Sequence, residues 1–291
     1  MEISGLDSGL ASALISRVRT SNAQAREALE RWAPHRGQIM RILRELPLAG
    51  SRMALLGAGH LYDVEFDELL RECAHVHLVD LDAKTVEAAV SRTPSATERC
   101  TVHAPVDLTG ALDVIAHAGL IKGAARIAHE RLATARCELP GAPFNGVVSL
   151  CALTQLMQTV SDAGVDSADI PPLSLAIRDK HLRDLLRLTA PGGTFVLVTD
   201  FVSTASAPGL LAMQAAELEP ELSRLVAAGN FFTGTNPYRI LALLQEGEPF
   251  AGEVESTRFV GPWLWALLPE RQHLAGAIVA RRRHAESAPA G

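Results

Sequence analysis

From Arg52 onward the chain alternates short apolar runs with segments of helical periodicity, and this rhythm limits the fold more than any other feature. Five runs read as strands: Met53–Leu56, Val76–Val79, Thr101–Ala104, Gly146–Leu150 and Thr194–Thr199. Helical patterns separate them at Asp67–Cys73, Ala83–Ser91, Leu112–Ala135 and Leu173–Leu188. Strands that are apolar on both faces must be covered on both, and strand–helix–strand succession supplies that cover. The expectation is an α/β domain whose sheet is mostly parallel, with helices on both faces. After Asp200 the rhythm breaks. Residues 208–246 read as helical, interrupted by GNFFTGTNPY, and two final strands are expected near Val254–Val260 and Leu274–Ala280. The connecting PWLWALLPERQ is too short for a crossover, so these strands pair antiparallel.

Ahead of the sheet, Leu10, Leu14, Ile15 and Val18, then Ile39, Ile42, Leu43 and Leu46, recur at three and four. Pro34 splits this stretch, and Pro47 with Gly50 ends it. It reads as an N-terminal helical extension over 1–48. A single domain over 49–291 follows, with a helical insertion at about 202–250. A chain of 291 residues can bury a substantial core. A net charge of −6 counts against a nucleic-acid partner, because phosphate neutralisation needs a basic face. No run approaches the length of a membrane span, and no basic segment followed by an apolar core marks a secretory signal. Four cysteines, at 73, 100, 137 and 151, have no short spacing, which fits a reducing, cytoplasmic compartment. The polar tail Arg281–Gly291 is expected to fray.

Gly57-Ala58-Gly59 follows the first strand, the grammar of a nucleotide-cofactor loop. Glycine lets the backbone turn tightly and lets a ligand approach where a Cβ would stand. A helix beginning just after the loop would add free N–H groups and a favourable dipole. The dinucleotide fingerprint GxGxxG would need glycine at 62, where Tyr62 stands, and no GK[ST] follows for a phosphate loop. The second strand ends in Asp80, placed to accept both ribose hydroxyls of an adenosine. A helix cap is the competing reading, for which Asp82 is better placed. Asp107, after the third strand, either accepts from the exocyclic amine of adenine or caps the next helix.

The glycine loop with nearby Asp63, the acids Asp80 and Asp107, and LLRLTAPGGTFVLVTDF (185–201) together resemble the class I S-adenosylmethionine-dependent methyltransferases. In that family LTAPGG (188–193) resembles the turn into strand five, and the last strand inserts antiparallel. The resemblance covers roughly 50–200 and 254–282. It implies a Rossmann-like methyltransferase sheet with an antiparallel C-terminal hairpin, and S-adenosylmethionine as cofactor. Gly57, Ala58 and Gly59 would then lie beside the methionine part of the cofactor. Asp80 and Leu81 would hold the ribose side, and Asp107 with Leu108 would flank the adenine. The sequence departs from the family at Leu61, where a third glycine is frequent, and at Asn145, where an acid is common. It also has no [DN]PP[YF] motif, which argues against amino methylation of nucleobases or glutamine.

Methyl transfer rests mainly on alignment, and a base helps only when the acceptor is protonated. Ligands of open parallel sheets sit beyond the C-terminal strand ends, which singles out Ser149, Cys151 and Asp200. Ser149 joins the expected cofactor-binding set. RWAPHRG (31–37) and GNFFTGTNPYRI (229–240) are candidate lids, and His35 and Tyr238 are the expected base or acceptor-positioning groups. His75 and His77 share a strand face without a third ligand at sensible spacing, so no metal is expected. Trp263 and Trp265 read as hairpin packing, and His181 as structural. The leading reading is transfer of a methyl group to a small-molecule or peptide-like acceptor. The alternatives are an NAD(P)-dependent oxidoreductase and a catalytically degenerate binding protein of the same fold.

Overall fold

The computed structural model describes Ser16, residues 29–96 and residues 98–284. The early part of the N-terminal helical reading, with Leu10, Leu14, Ile15 and Val18, lies outside them. Helix α1 (Ala33–Arg44) carries Pro34 in its first turn, where a missing N–H leaves no partner unmet. It buries Ile39, Met40, Ile42 and Leu43.

The sheet begins with β1 (Arg52–Leu56), β2 (His75–Val79) and β3 (Cys100–His103). It continues with β4 (Phe144–Leu150) and β5 (Thr189–Ser203) and ends in β6 (Val254–Leu268) and β7 (Arg271–Arg282). The order is β3-β2-β1-β4-β5-β7-β6, with β7 antiparallel to both of its neighbours. The β1–β2, β2–β3, β1–β4 and β4–β5 pairs are parallel. This is the Rossmann-like arrangement with an inserted antiparallel last strand that the resemblance implies. The order reverses between β1 and β4, the switch point at which open α/β sheets leave a crevice.

Alternation across the pleat assigns each side chain to one of two cores. On one face Met53, Leu55, Val76, Leu78, Val148, Val196 and Val198 pack with α1 and with Leu69 and Leu70 of α2 (Phe66–Glu72). On the other face Ala54, Leu56, Val79, Val147, Phe195 and Leu197 lie beneath three helices. These are α5 (Ala124–Thr134), α6 (Ala152–Asp162) and α7 (Ile170–Leu188). Helix α3 (Ala83–Ser91) connects β2 to β3, and the one-turn α4 (Leu112–Ile115) follows β3. In the insertion, α8 (Leu218–Ala227) packs Leu218, Leu222 and Leu225 against Phe201 and Leu274, while α9 (Pro237–Glu246) docks Ile240 and Leu244 into the second core.

The structure departs from the sequence reading in several places, one being β5, which begins at Thr189 and so takes in most of LTAPGG, expected as the turn before it. The expected helix Leu112–Ala135 is two helices, broken where Gly123 takes φ +86°. The helix α6 is an addition: its first residues continue the apolar run of β4, which hides the change of period. Strand β6 runs on through Trp265 to Leu268, so that only Pro269 and Glu270 remain as the hairpin turn. Its register shifts between Val260 and Trp263, which accommodates Gly261-Pro262 as an irregularity where proline's missing donor does no harm. The start of the polar tail is bound: Arg282 lies in β7 and donates to the carbonyls of Leu186 and Thr189, and Arg283 to that of Gly252. Residues 285–291 lie outside the described residues. No helix among the described residues is long and apolar enough to cross a membrane.

Candidate functional site

The loop after β1 is held from below. The amides of Gly57 and Ala58 donate to the carbonyl of Val79 at 2.9 and 3.1 Å, which ties the loop to the tip of β2. Gly57 takes φ +74°, and a Cβ there would meet the Cβ of Ala152 at 2.9 Å, so only glycine fits. Gly59 is also left-handed, but a Cβ on it would face open space, with only the Gly57 carbonyl as near as 4.0 Å. The first glycine is therefore required by packing, and the second is where a ligand can come close.

No helix starts at this loop. Leu61 sits at φ +60°, a conformation that interrupts a right-handed helix, and α2 begins only at Phe66. The expected helix N-terminus for an anionic ligand is therefore displaced seven positions from Gly59. Leu61 stands where the family often has glycine, and its backbone has the shape that favours glycine. Its side chain is buried in the first core.

Asp80 lies beside the loop. One carboxylate oxygen accepts from the Gly59 amide and the other from the Asp82 amide, both at 2.8 Å. Burial pushes this carboxyl above the usual range, offset in part by those two amides. A carboxylate has roughly four acceptor sites. Asp80 thus keeps capacity for further donors. Asp82 accepts from the Thr85 hydroxyl at 2.7 Å. Asp107 shows the capping geometry: it accepts from the amide and hydroxyl of Thr109 and from the Leu112 amide at the start of α4. Leu108 is buried beside it, and Leu81 packs on Leu112 and Ala116.

A cleft of about 380 Å³ opens beside Cys151, the residue following β4, and Asp200 of β5. Cys151 is buried and holds φ +49°, the other non-glycine left-handed residue besides Leu61 among the described residues. Burial drives its thiol well above its ordinary value, and the nearby carboxylates of Asp63 and Asp200 push the same way. Cys151 is therefore no ready nucleophile. A cation placed here would instead be favoured by both carboxylates. Asp200 accepts from the Thr154 hydroxyl at 2.6 Å on one oxygen and from Nδ1 of His273 at 2.7 Å on the other. His273, on β7, is buried, and its Nε2 has no partner among the described residues. Across the β6–β7 ladder His273 faces Trp265, whose indole nitrogen is likewise buried without a partner among the described residues.

The sequence-derived residues divide. Gly57, Ala58, Gly59, Asp80, Leu81, Asp107 and Leu108 gather at the C-terminal ends of β1 to β3. Ser149 does not join them: it is fully buried, and its hydroxyl pairs with Nε2 of His181 at 2.9 Å beneath the sheet. Strand β4 turns Ser149 toward α7, whereas Cys151, two positions on and just beyond the strand, leaves strand geometry at φ +49° and packs on the other face, at the cleft. His35 lies near the cleft but is enclosed, stacked on Trp265 at 4.7 Å. Its Nδ1 accepts from Trp263 at 2.9 Å, and its Nε2 lies 3.3 Å from Asp63 and 3.8 Å from the Cys151 sulfur. With Nδ1 in use and Nε2 facing these groups, His35 has no nitrogen free to take a proton from a substrate. Tyr238 opens α9 at the surface, 6.4 Å from the Phe259 ring and away from the cleft lining. Asp200 was singled out by position, whereas His273, the imidazole that does line the cleft, carried no local signal. His75 and His77 pack edge to face at 5.0 Å, and His77 bonds His103 at 2.9 Å on the β2–β3 edge.

No protein-family model matches the chain, and no curated protein matches it. Solved structures are similar at a distance. One is the 1,6-didemethyltoxoflavin-N1-methyltransferase of Burkholderia thailandensis with bound 1,6-didemethyltoxoflavin and S-adenosylhomocysteine. It has 14% identity and a TM-score of 0.49, covering 94% of this chain and 89% of that one. The YcgJ protein of Bacillus subtilis has 11% identity and a TM-score of 0.47, over 86% of this chain and 100% of that one. The O-methyltransferase TomG of Streptomyces achromogenes, in complex with its methyl donor, has 15% identity and a TM-score of 0.43, over 90% and 89%.

Proposed function

We propose that this chain transfers a methyl group from S-adenosylmethionine to a small-molecule acceptor held in the cleft beside Cys151 and Asp200. One observation carries the reading. The order β3-β2-β1-β4-β5-β7-β6, with β7 reversed, sets the Gly59–Asp80 pair and the cleft at the same end of the sheet, on either side of its switch point.

The residues fit the cofactor. The open side of Gly59 admits the methionine part. Asp80, buried and pushed toward its neutral form, gains from the two hydroxyl donors of a ribose, which favour its charged form. Asp107 has three acceptor interactions committed to its loop and supports the adenine edge chiefly by shaping that loop around Leu108. When bound, S-adenosylmethionine supplies a methyl group on a sulfonium that already carries its leaving group. Asp63 and Asp200 favour that positive charge, and the walls of the cleft hold the acceptor in line with the methyl carbon. Trp265, Leu267, Phe232 and Met157 give the cleft apolar sides that exclude water.

The cleft volume suits a small molecule rather than a polymer. Among the described residues its lining holds Asp162 and Asp200 and neither lysine nor arginine, which favours an acceptor without an anionic group. A dinucleotide gains no support, since the loop has Tyr62 in place of the third glycine and no helix start for a pyrophosphate. The four thiols are unpaired, in keeping with a reducing, cytoplasmic setting. The test is incubation of the full chain with methyl-labelled S-adenosylmethionine and a fractionated cell extract. Label entering a low-molecular-weight fraction supports the reading. Label entering only protein or nucleic acid, or none at all, contradicts it.

A further inference from the structure

The geometry points to His273 as a base for a hydroxyl-bearing acceptor, positioned by Asp200 and completed by Trp265 as the donor to the acceptor oxygen. This deepens the methyl-transfer reading and rests on it. The hydrogen bond from Nδ1 of His273 to Asp200 at 2.7 Å fixes the ring proton on Nδ1 and leaves the Nε2 lone pair bare. Asp200 is itself held by Thr154 at 2.6 Å, so the pair is anchored from both β5 and α6. Trp265 and His273 are register partners with ring centroids 5.7 Å apart, and both line the cleft. Each has a buried nitrogen without a partner among the described residues: one is a donor, the other an acceptor. Unmet buried polar atoms are costly, and two complementary ones beside the same cleft call for a ligand group that meets both.

A hydroxyl does so. Its proton goes to Nε2 of His273, and its oxygen accepts from the Trp265 indole. The oxygen then still holds a lone pair for attack. A neutral amine nitrogen has only one lone pair, and using it to accept from Trp265 would leave none. A thiol, with a pKa of about 8.5, ionises readily, whereas a phenolic hydroxyl, at about 10, gains most from a base. The step balances: the oxygen–methyl carbon bond forms as the sulfonium–methyl bond breaks, the electron pair of that bond stays on sulfur, and the hydroxyl proton passes to Nε2. Among the described residues the other titratable side chains lining the cleft are Asp200, which bonds His273, and Asp162 and Cys151. Among the described residues no lysine or arginine lines the cleft, so the acceptor class these walls favour is an uncharged hydroxyl compound, with the apolar sides favouring an aryl alcohol.

The test is nitrogen NMR of the full chain labelled in its histidine and tryptophan side chains, with His273→Gln and Trp265→Phe supplying the assignments. His273 is expected to carry its proton on Nδ1, and Asp200→Asn to release that preference. Titration with phenol, 1-naphthol and 2-naphthol, against 2-methoxynaphthalene, is expected to move the His273 Nε2 and Trp265 Nε1 signals for an alcohol only. The best alcohol should bind at least about tenfold tighter than the ether. His273→Gln should abolish that preference while S-adenosylhomocysteine still binds, which also shows that the variant is folded. Alcohol and ether binding equally, unmoved signals with every alcohol, or an unchanged tautomer in Asp200→Asn would each overturn the proposal. If the alcohol preference holds but S-adenosylhomocysteine does not bind the native chain, the hydroxyl site stands and the methyl-transfer reading falls.

Discussion

Trp263 donates its indole N–H to Nδ1 of His35 across 2.9 Å, joining β6 to α1 over 228 positions of sequence. This bond places the imidazole proton on Nε2, toward Asp63 and Cys151. With Trp265 stacked on the same ring, it makes α1 one wall of the region around the cleft. Trp263→Phe keeps the packing surface and removes the donor, leaving a buried nitrogen unmet. Urea unfolding should show a loss of about 1–3 kcal/mol. An unchanged midpoint would mean that the bond contributes nothing to holding α1 in place.

The two loop glycines should fail in different ways. At Gly57 a Cβ would meet Ala152 at 2.9 Å, so Gly57→Ala combines a clash with left-handed strain and should cost about 2 kcal/mol or more in stability. At Gly59 the Cβ faces open space, so Gly59→Ala should cost about 1 kcal/mol of strain and act mainly on cofactor affinity. Denaturation curves and binding isotherms for the pair separate these effects. Equal stability losses would refute the distinction.

Leu61 holds φ +60° and buries its side chain. Leu61→Ala keeps the left-handed strain and loses the packing, whereas Leu61→Gly loses the packing and removes strain of about 1 kcal/mol. Glycine should therefore be the more stable of the two variants by roughly that amount, the reverse of the usual helix or strand order. The opposite ranking in thermal melts would show that the loop relaxes away from this conformation.

Much of this fold was legible in the sequence because its signals are local. The strand runs alternate with 3.6-period segments, the glycines follow β1 directly, and Asp80 ends β2. Long-range relationships were not legible. Asp200 and His273 lie 73 positions apart and meet only because β7 inserts beside β5. His35 was recognisable as a residue of interest, but its partners Trp263 and Trp265 read as simple hairpin packing. Ser149 points toward His181, and the left-handed turn at Cys151 that brings the next same-parity residue to the cleft leaves no mark in residue spacing.

Acid sensitivity should be set by buried imidazoles. Burial first, then the charge of Lys180, pushes His181 down to about 3, and burial with neighbouring His103, His75 and Arg52 pushes His77 down to about 4. Both are neutral in the fold, and the unfolded chain takes up their protons near pH 6.5. Their contribution is fully present above pH 6.5 and is lost as pH falls toward 4. For His181 the slope reaches about 1.4 kcal/mol per pH unit. Unfolding free energies measured across this window should flatten in His181→Gln. A native profile already flat between pH 6.5 and 4.5 would contradict the assignment.

The central claim, that the loop after β1 and the acid ending β2 hold S-adenosylmethionine, is tested most directly by calorimetric titration of the full chain with S-adenosylhomocysteine. The expected result is binding at one site per chain that Asp80→Ala abolishes while the variant still unfolds cooperatively, with no heat from NADH. Absence of binding to the native chain, or binding that Asp80→Ala leaves unchanged, would contradict the account.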